Sequence, residues 1–197
     1  MQYTWLGHAS FLITNDAGGR LVTDPADERS IPKLPKVSAD VITLSHLHHD
    51  HCATERISGR PIVKESADPE TIAGFSIRGF HAFHDEVRGA KRGANTIFVF
   101  EADGQRFVHC GDLGHMPDEE TLAAIRGCDV LLIPVGGVYT VDGKAAWAIA
   151  KRVAPKTVVP MHYKTPDLGF TLEPVTNFLA AAKADPAPIG IDIPARG

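Results

Sequence analysis

The sequence predicts an α/β protein built on two mixed β-sheets flanked by helices, and three observations carry this. Each half of the 197-residue chain opens with hairpin-like strands and continues into strand–helix units, the order that yields mixed sheets. Short apolar runs such as Val41–Leu44, Val130–Pro134 and Thr157–Pro160 lack polar alternation and read as strands covered on both faces. Histidines and aspartates recur just past the ends of such strands, where the sites of sheet proteins gather.

Taken in order, Tyr3 to Thr14 reads as a strand broken at Gly7-His8 and resumed to Thr14. Asn15-Asp-Ala-Gly-Gly is a turn, and Arg20 to Thr23 returns as a hairpin ending at Asp24-Pro25. Residues 26–40, with Pro32, Pro35 and mixed charge, form a loop suited to cover a site. Val41 to Ser45 is a buried strand. Ala53 to Ile57 suggests a helical turn, Pro61 to Lys64 a short strand, and Ser66 to Ile72 a helix start with Pro69 in its first turn. Phe75 to Phe83 alternates as a strand, and a polar loop runs through Lys91, Arg92 and Asn95. Thr96 to Glu101 and Gln105 to Cys110 form a hairpin about Asp103-Gly104. Asp118 caps a helix reaching Ile125. Val130 to Pro134 and Thr157 to Pro160 are strands, Val141 to Val153 and Leu172 to Ala184 helices, and Ile189 to Ile193 an edge strand.

The densest chemistry lies after the Val41 strand, where His46, His48, His49, Asp50 and His51 fall within six residues. In extended chain, alternate side chains share a side, so His46 and His48 lean together; a turn after them aims Asp50 and His51 at a second point a few Å away. Such a cluster repels itself below pH ~6.5 unless something holds the imidazoles neutral. A metal ion does so, because it takes the neutral form as ligand. Imidazole and carboxylate are the donors of zinc and its neighbours.

Size and composition narrow the role. A single domain of this length buries roughly 70% of its unfolded surface, so metal is expected to serve chemistry rather than folding. The net charge of −4 argues against nucleic acid and anionic membranes as partners. Three cysteines, Cys52, Cys110 and Cys128, without framework spacing indicate a reducing compartment. With no export signal in residues 1–25 and no apolar run near the ~18 residues of a membrane span, the expectation is a soluble cytoplasmic protein acting on a small molecule. The sequence leaves a homo-oligomer open.

Asp24, His84, Asp112 and His162 each follow a separate strand. With the cluster at 46–51 they give an ordered set: Asp24 in Val-Thr-Asp-Pro, the His46/His48/Asp50/His51 motif, His84, Asp112 in Cys-Gly-Asp-Leu-Gly, and His162 in Pro-Met-His-Tyr. This pattern resembles the metallo-β-lactamase superfamily, and Leu6-Gly-His-Ala-Ser-Phe-Leu-Ile13 extends the likeness to the amino terminus. Within it the chain is most similar to the compact bacterial branch related to L-ascorbate-6-phosphate lactonase and the phospholipase D acting on N-acyl phosphatidylethanolamine.

The resemblance implies a four-layer αββα sandwich with helices on the outer faces and metals at one edge. It further implies two divalent ions, zinc first and manganese or iron as alternatives. His46, His48 and His84 would bind one ion, Asp50, His51 and His162 the other, and Asp112 would bridge them. Asp24 would steady the histidine loop, and Asp50 would be the catalytic residue orienting the nucleophile. His84 is preferred over His81 as ligand, His49 is expected to face away, and His109 to be packed. Substrate contacts are expected among His8, His115, Lys91, Arg92, Asn95 and Tyr163. For His8 the alternative is tying down the Gly7 kink, and for Lys91 and Arg92 a solvated surface; His115 and Tyr163 are also candidates to protonate the leaving group.

The implied activity is hydrolysis of a lactone, ester or phosphodiester, its pocket shaped by loops 26–40, 85–95 and 136–140. Two rivals stand beside it. One is a di-iron oxidoreductase, which needs a separate electron-donor protein; the other is a non-catalytic metal-binding protein.

Overall fold

The computed structural model describes residues 1–197 in full. Its first sheet takes five strands in chain order: β1 (Gln2–Gly7), β2 (Ser10–Thr14), β3 (Arg20–Thr23), β4 (Ser38–Thr43) and β5 (Ser58–Lys64). The pairs β1/β2 and β2/β3 are antiparallel, whereas β3/β4 and β4/β5 are parallel.

The second sheet contains β6 (Glu70–Ile72), β7 (Phe75–Phe83), β8 (Ala94–Ala102), β9 (Gln105–His109), β10 (Val130–Pro134), β11 (Thr157–Met161) and β12 (Gly190–Ile191). Its spatial order is β12-β11-β10-β9-β8-β7-β6, antiparallel from β6 to β9 and parallel from β9 to β12. These are the two mixed sheets that the sequence predicts.

Alternation along the first sheet decides which side chains meet the second. Trp5, Phe11, Ile13, Leu21 and Val41 join Ile77, Phe98, Phe100 and Leu131 in one core of 38 buried residues. Their opposite-facing neighbours Leu6, Val22 and Ile42 gather with Val37 and Ile57 in a smaller cluster. That second cluster marks where the helix distribution departs from the expected layers. The helices α1 (Glu119–Ile125), α2 (Gly143–Val153) and α3 (Val175–Ala184) all lie within the connections of the second sheet. The first sheet's other face is covered by loop and a single 3-10 turn, Thr54–Arg56. Pro25, Pro32 and Pro35 keep the covering loop from becoming a helix.

Two of the three helices begin at a capping aspartate. The carboxylate of Asp118 accepts from Thr121 N at 2.8 Å, and that of Asp142 from Ala145 N at 2.7 Å. Residues 66–72 are a correction. Instead of starting a helix, Glu70–Ile72 pairs antiparallel with β7. Pro69 biases Asp68 away from helical angles, and Ala73 and Gly74, both at positive φ, turn the chain straight back. No helix is long and apolar enough to cross a membrane.

The pairing directions settle where the site lies. β1, β3 and β4 run the same way in the first sheet, as do β7, β9, β10 and β11 in the second. Their carboxyl ends therefore meet at one edge of the sandwich.

Candidate metal centre

At that edge the seven residues expected as ligands converge. Asp112, three residues past the end of β9, is buried at the centre of four imidazoles. Its Oδ2 lies 3.0 Å from His84 Nε2, 3.2 Å from His162 Nε2 and 3.8 Å from His46 Nε2, and its Oδ1 lies 3.2 Å from His51 Nε2. Burial opposes the charge on Asp112, but the imidazoles of His162 and His51 outweigh it and hold the carboxyl well below the ordinary range. His46, His48 and His84 form one compact triad, with ring centroids 4.7, 5.0 and 4.9 Å apart. Asp50, His51 and His162 form another, and His8 joins them.

Asp24, the residue expected to steady the histidine loop, sits at positive φ beyond β3. Its carboxylate accepts from Ser45 N at 2.8 Å and from the Ser45 hydroxyl, and meets His51 Nδ1 at 2.9 Å. Because the carboxylate accepts from Nδ1–H, His51 turns its Nε2 to the centre. The Ser45 hydroxyl donates to Asp24, so it accepts from His46 Nδ1 at 3.0 Å and leaves His46 Nε2 a lone pair. Burial, reinforced by His51, lowers His46 to about 3, so its ring is neutral.

Whether this cluster suits a cation can be judged from its unpaired atoms. His46 Nε2, His51 Nε2 and Asp112 Oδ1 are buried without a hydrogen-bond partner, as are the Nδ1 atoms of His8, His84 and His162. Buried polar atoms are rarely left so, and nitrogen lone pairs beside carboxylate oxygens are the donor chemistry of zinc, manganese or iron. The residues fit divalent cations.

His8 lies deeper in the centre than a substrate contact would. It follows Gly7 at the irregular end of the β1/β2 pairing, sits at φ 53°, and is 3% exposed. Its Nε2 meets Asp50 Oδ2 at 3.1 Å, and its ring lies 4.0 Å from that of His162. Burial and then His162 lower it to about 4, so it is neutral and donates to Asp50. Its carbonyl also ties down the Gly7 kink, accepting from Trp5 Nε1 and His162 N. Burial pushes Asp50 up, but the bond from His8 and the nearby His51 hold its carboxyl below the ordinary range.

Four expected substrate contacts lie elsewhere. Asn95 is buried; its Nδ2 donates to Cys110 O, and its Oδ1 accepts from Asp112 N at 2.9 Å, so it fixes Asp112 rather than a substrate. His115 accepts from Phe83 N at 3.0 Å and donates to Met116 O, lining a separate cavity. Tyr163 packs on Trp5 beneath the centre, and burial pushes its phenol up. Lys91 pairs with Glu86 at the surface. Neither His115 nor Tyr163 faces the cleft, so neither is placed to protonate a leaving group. His81 is exposed on the other side of β7, His109 is buried against Ala9 O, and His49 pairs with Asp27 at the rim.

A cleft of 830 Å³ opens above the centre. The loops expected to shape it contribute Glu28, Arg29 and Pro32, then Arg92, then Tyr139. A fourth segment was not anticipated. Gly169 and Phe170 line the cleft beside them, Phe170 against Tyr139, and Gly169 N bonds Arg29 O at 3.3 Å. Pro166 and Gly169 mark that segment as loop in the sequence, but nothing there indicates which side chain turns inward.

Comparison with known proteins agrees with this architecture. The family model described as the Beta-lactamase superfamily domain matches residues 2–162. A UPF0173 metal-dependent hydrolase of Pelotomaculum thermopropionicum is 31% identical, over 84% of this chain and 85% of its own length. Its counterpart from Methanoculleus marisnigri is 33% identical, over 84% and 82%. A crystal structure from Thermotoga maritima, proposed to be a zinc-dependent hydrolase of the metallo-β-lactamase superfamily, superposes with a TM-score of 0.75 at 40% identity, covering 90% of this chain and 84% of that one.

Proposed function

This chain belongs to the metallo-β-lactamase superfamily, and we propose that it is a metal-dependent hydrolase working with two divalent cations, zinc by preference, on a carbonyl or phosphoryl centre. The observation that carries the reading is Asp112, one carboxylate within reach of both the His46/His48/His84 triad and the His51/His162 pair. In this reading His46, His48 and His84 hold one ion, Asp50, His51 and His162 the other, and Asp112 serves both. When bound, such a pair lowers the pKa of water towards neutrality and polarises the oxygen of the bond to be cleaved.

The chain's own residues supply the rest. Asp24 and Ser45 fix the rings of His51 and His46 with their Nε2 atoms inward. Asn95 fixes the backbone of Asp112. Asp50, kept ionised by His8, accepts a hydrogen bond from the attacking water and orients it; its lowered pKa makes it a weak proton store. Lactones, esters and phosphodiesters are the substrates this arrangement suits. The three cysteines form no disulfide, which supports a reducing compartment, the cytoplasm.

Elemental mass spectrometry on protein purified without added metal or chelator tests the reading, paired with a screen of lactones, esters and phosphodiesters. About two zinc or manganese ions per chain with turnover of a panel member is the expected result. Two irons with oxygen consumption would favour an oxidoreductase, and no metal after reconstitution would remove the catalytic reading.

A further inference from the structure

The cleft above the centre has an organised wall. Arg92 lies with Cζ 5.7 Å from the Tyr139 ring centroid and donates from Nη2 to Val138 O at 3.1 Å. Tyr139 meets Phe170 edge to face at 6.1 Å, and Phe170 meets His8 at 5.5 Å. A cation, two aromatic rings and the Asp50 end of the centre thus follow one another along one side.

The parts of this wall are held in place before any ligand arrives. The carboxylate of Asp85, 1% exposed, accepts from the backbone N–H groups of Val87, Gly89, Lys91 and Arg92 at 2.8–2.9 Å. Val138 is held at φ 34°, a strained angle for a β-branched residue, and that turn places Tyr139 over the cleft. Arg92 forms no ion pair with any carboxylate, and of its five N–H donors one goes to Val138. Arg29, whose carbonyl accepts from Gly169 N beside Phe170, lines the same cleft and likewise has no ion-pair partner. Glu28 lines the same cleft.

A guanidinium within 6 Å of an aromatic ring's centre, with free donors facing a cleft, takes a planar or tetrahedral oxyanion. The rings beside it take a flat apolar body. We propose that the substrate is an aryl or similarly flat ester or lactone carrying a carboxylate or phosphate remote from the scissile bond. Its anionic group is taken by Arg92, its flat body lies on Tyr139 and Phe170, and its scissile bond reaches the Asp50 end. This rests on the hydrolase reading for the scissile bond, but the binding of the anionic aryl group does not.

Calorimetric titration of the metal-loaded protein with 4-hydroxybenzoate, phenyl phosphate and phenol tests the assignment. The carboxylate or the phosphate is expected to bind at least about tenfold more tightly than phenol; whichever does so identifies the anion. Arg92→Ala should remove that preference, and Tyr139→Ala should weaken every aryl probe. Equal affinities for the three probes would overturn the proposal. So would a preference that survives in Arg92→Ala, since the anion would then be bound by the metal ions. Circular dichroism establishes that both variants are folded. Anionic aryl binding without turnover of any ester would leave this assignment standing and remove the hydrolase reading.

Discussion

At the residue scale, the centre is organised by groups that touch its ligands rather than by the ligands alone. Asp24, Ser45, Asn95 and His8 each spend a hydrogen bond on holding an imidazole or a carboxylate in one orientation. His8 and Asp24 do this at positive φ, where His162 also sits, a backbone region costly for residues with a side chain and concentrated at functional sites. His8 gives the sharpest test. His8→Asn keeps a residue that tolerates positive φ but removes the imidazole beside Asp50, and should weaken metal affinity about 10–100-fold at one site. Competition with a fluorescent chelator measures this. His81→Ala, on the exposed side of the same strand that leads to His84, should change nothing.

At the element scale, the loop from Asp85 to Arg92 is a small unit built on one carboxylate. Four backbone donors hold the Asp85 carboxyl at about 2 against the burial that opposes its charge. Its folded pKa is below the ordinary ~3.9 of an unfolded aspartate, so its contribution is fully present above that value and is lost as pH falls towards 2. Hydrogen exchange at Gly89, Lys91 and Arg92 should therefore accelerate between about pH 4 and pH 2, relative to amides in β10. Equal acceleration in both would mean that the loop has no separate acid transition.

The same loop leans on Gly114. A Cβ there would lie 2.3 Å from Asp85 N and 2.4 Å from His84 C, so two backbone segments meet at van der Waals limits. Gly114→Ala should destabilise the protein by roughly 1–3 kcal/mol, read as a lowered Tm, and should displace His84 as well.

At the scale of the whole molecule, fold and metal are separable. The 38-residue core between and behind the sheets contains none of the seven residues expected as ligands. Removing metal with a chelator should leave far-UV circular dichroism unchanged, while metal at a hundredfold excess over Kd adds about 2.7 kcal/mol of stability. An apoprotein unfolded at 25 °C would show that core and centre are one cooperative unit. The aromatic and cationic wall belongs to this scale too, because its residues come from three loops of the second sheet, after β7, β10 and β11, that are distant in the chain.

The sequence by itself determined the two mixed sheets, most strand and helix positions, the edge that carries the site and the seven residues that converge there. The elements and the edge follow from local rules: apolar period, turn chemistry, capping, and donors placed where strands end; the set of seven is what the family resemblance implies. Tertiary structure alone decided the rest. That residues 66–72 extend rather than coil depends on β7 lying alongside. That Asn95, Tyr163 and His115 turn away from the cleft depends on Cys110, Trp5 and Phe83, partners distant in the chain or on the far side of a strand. That Arg92, Tyr139 and Phe170 form one wall depends on three separate loops meeting. A polar residue at the end of a strand has a position fixed by its neighbours in sequence, but its side chain points where packing and hydrogen bonds from the other sheet or loop leave room.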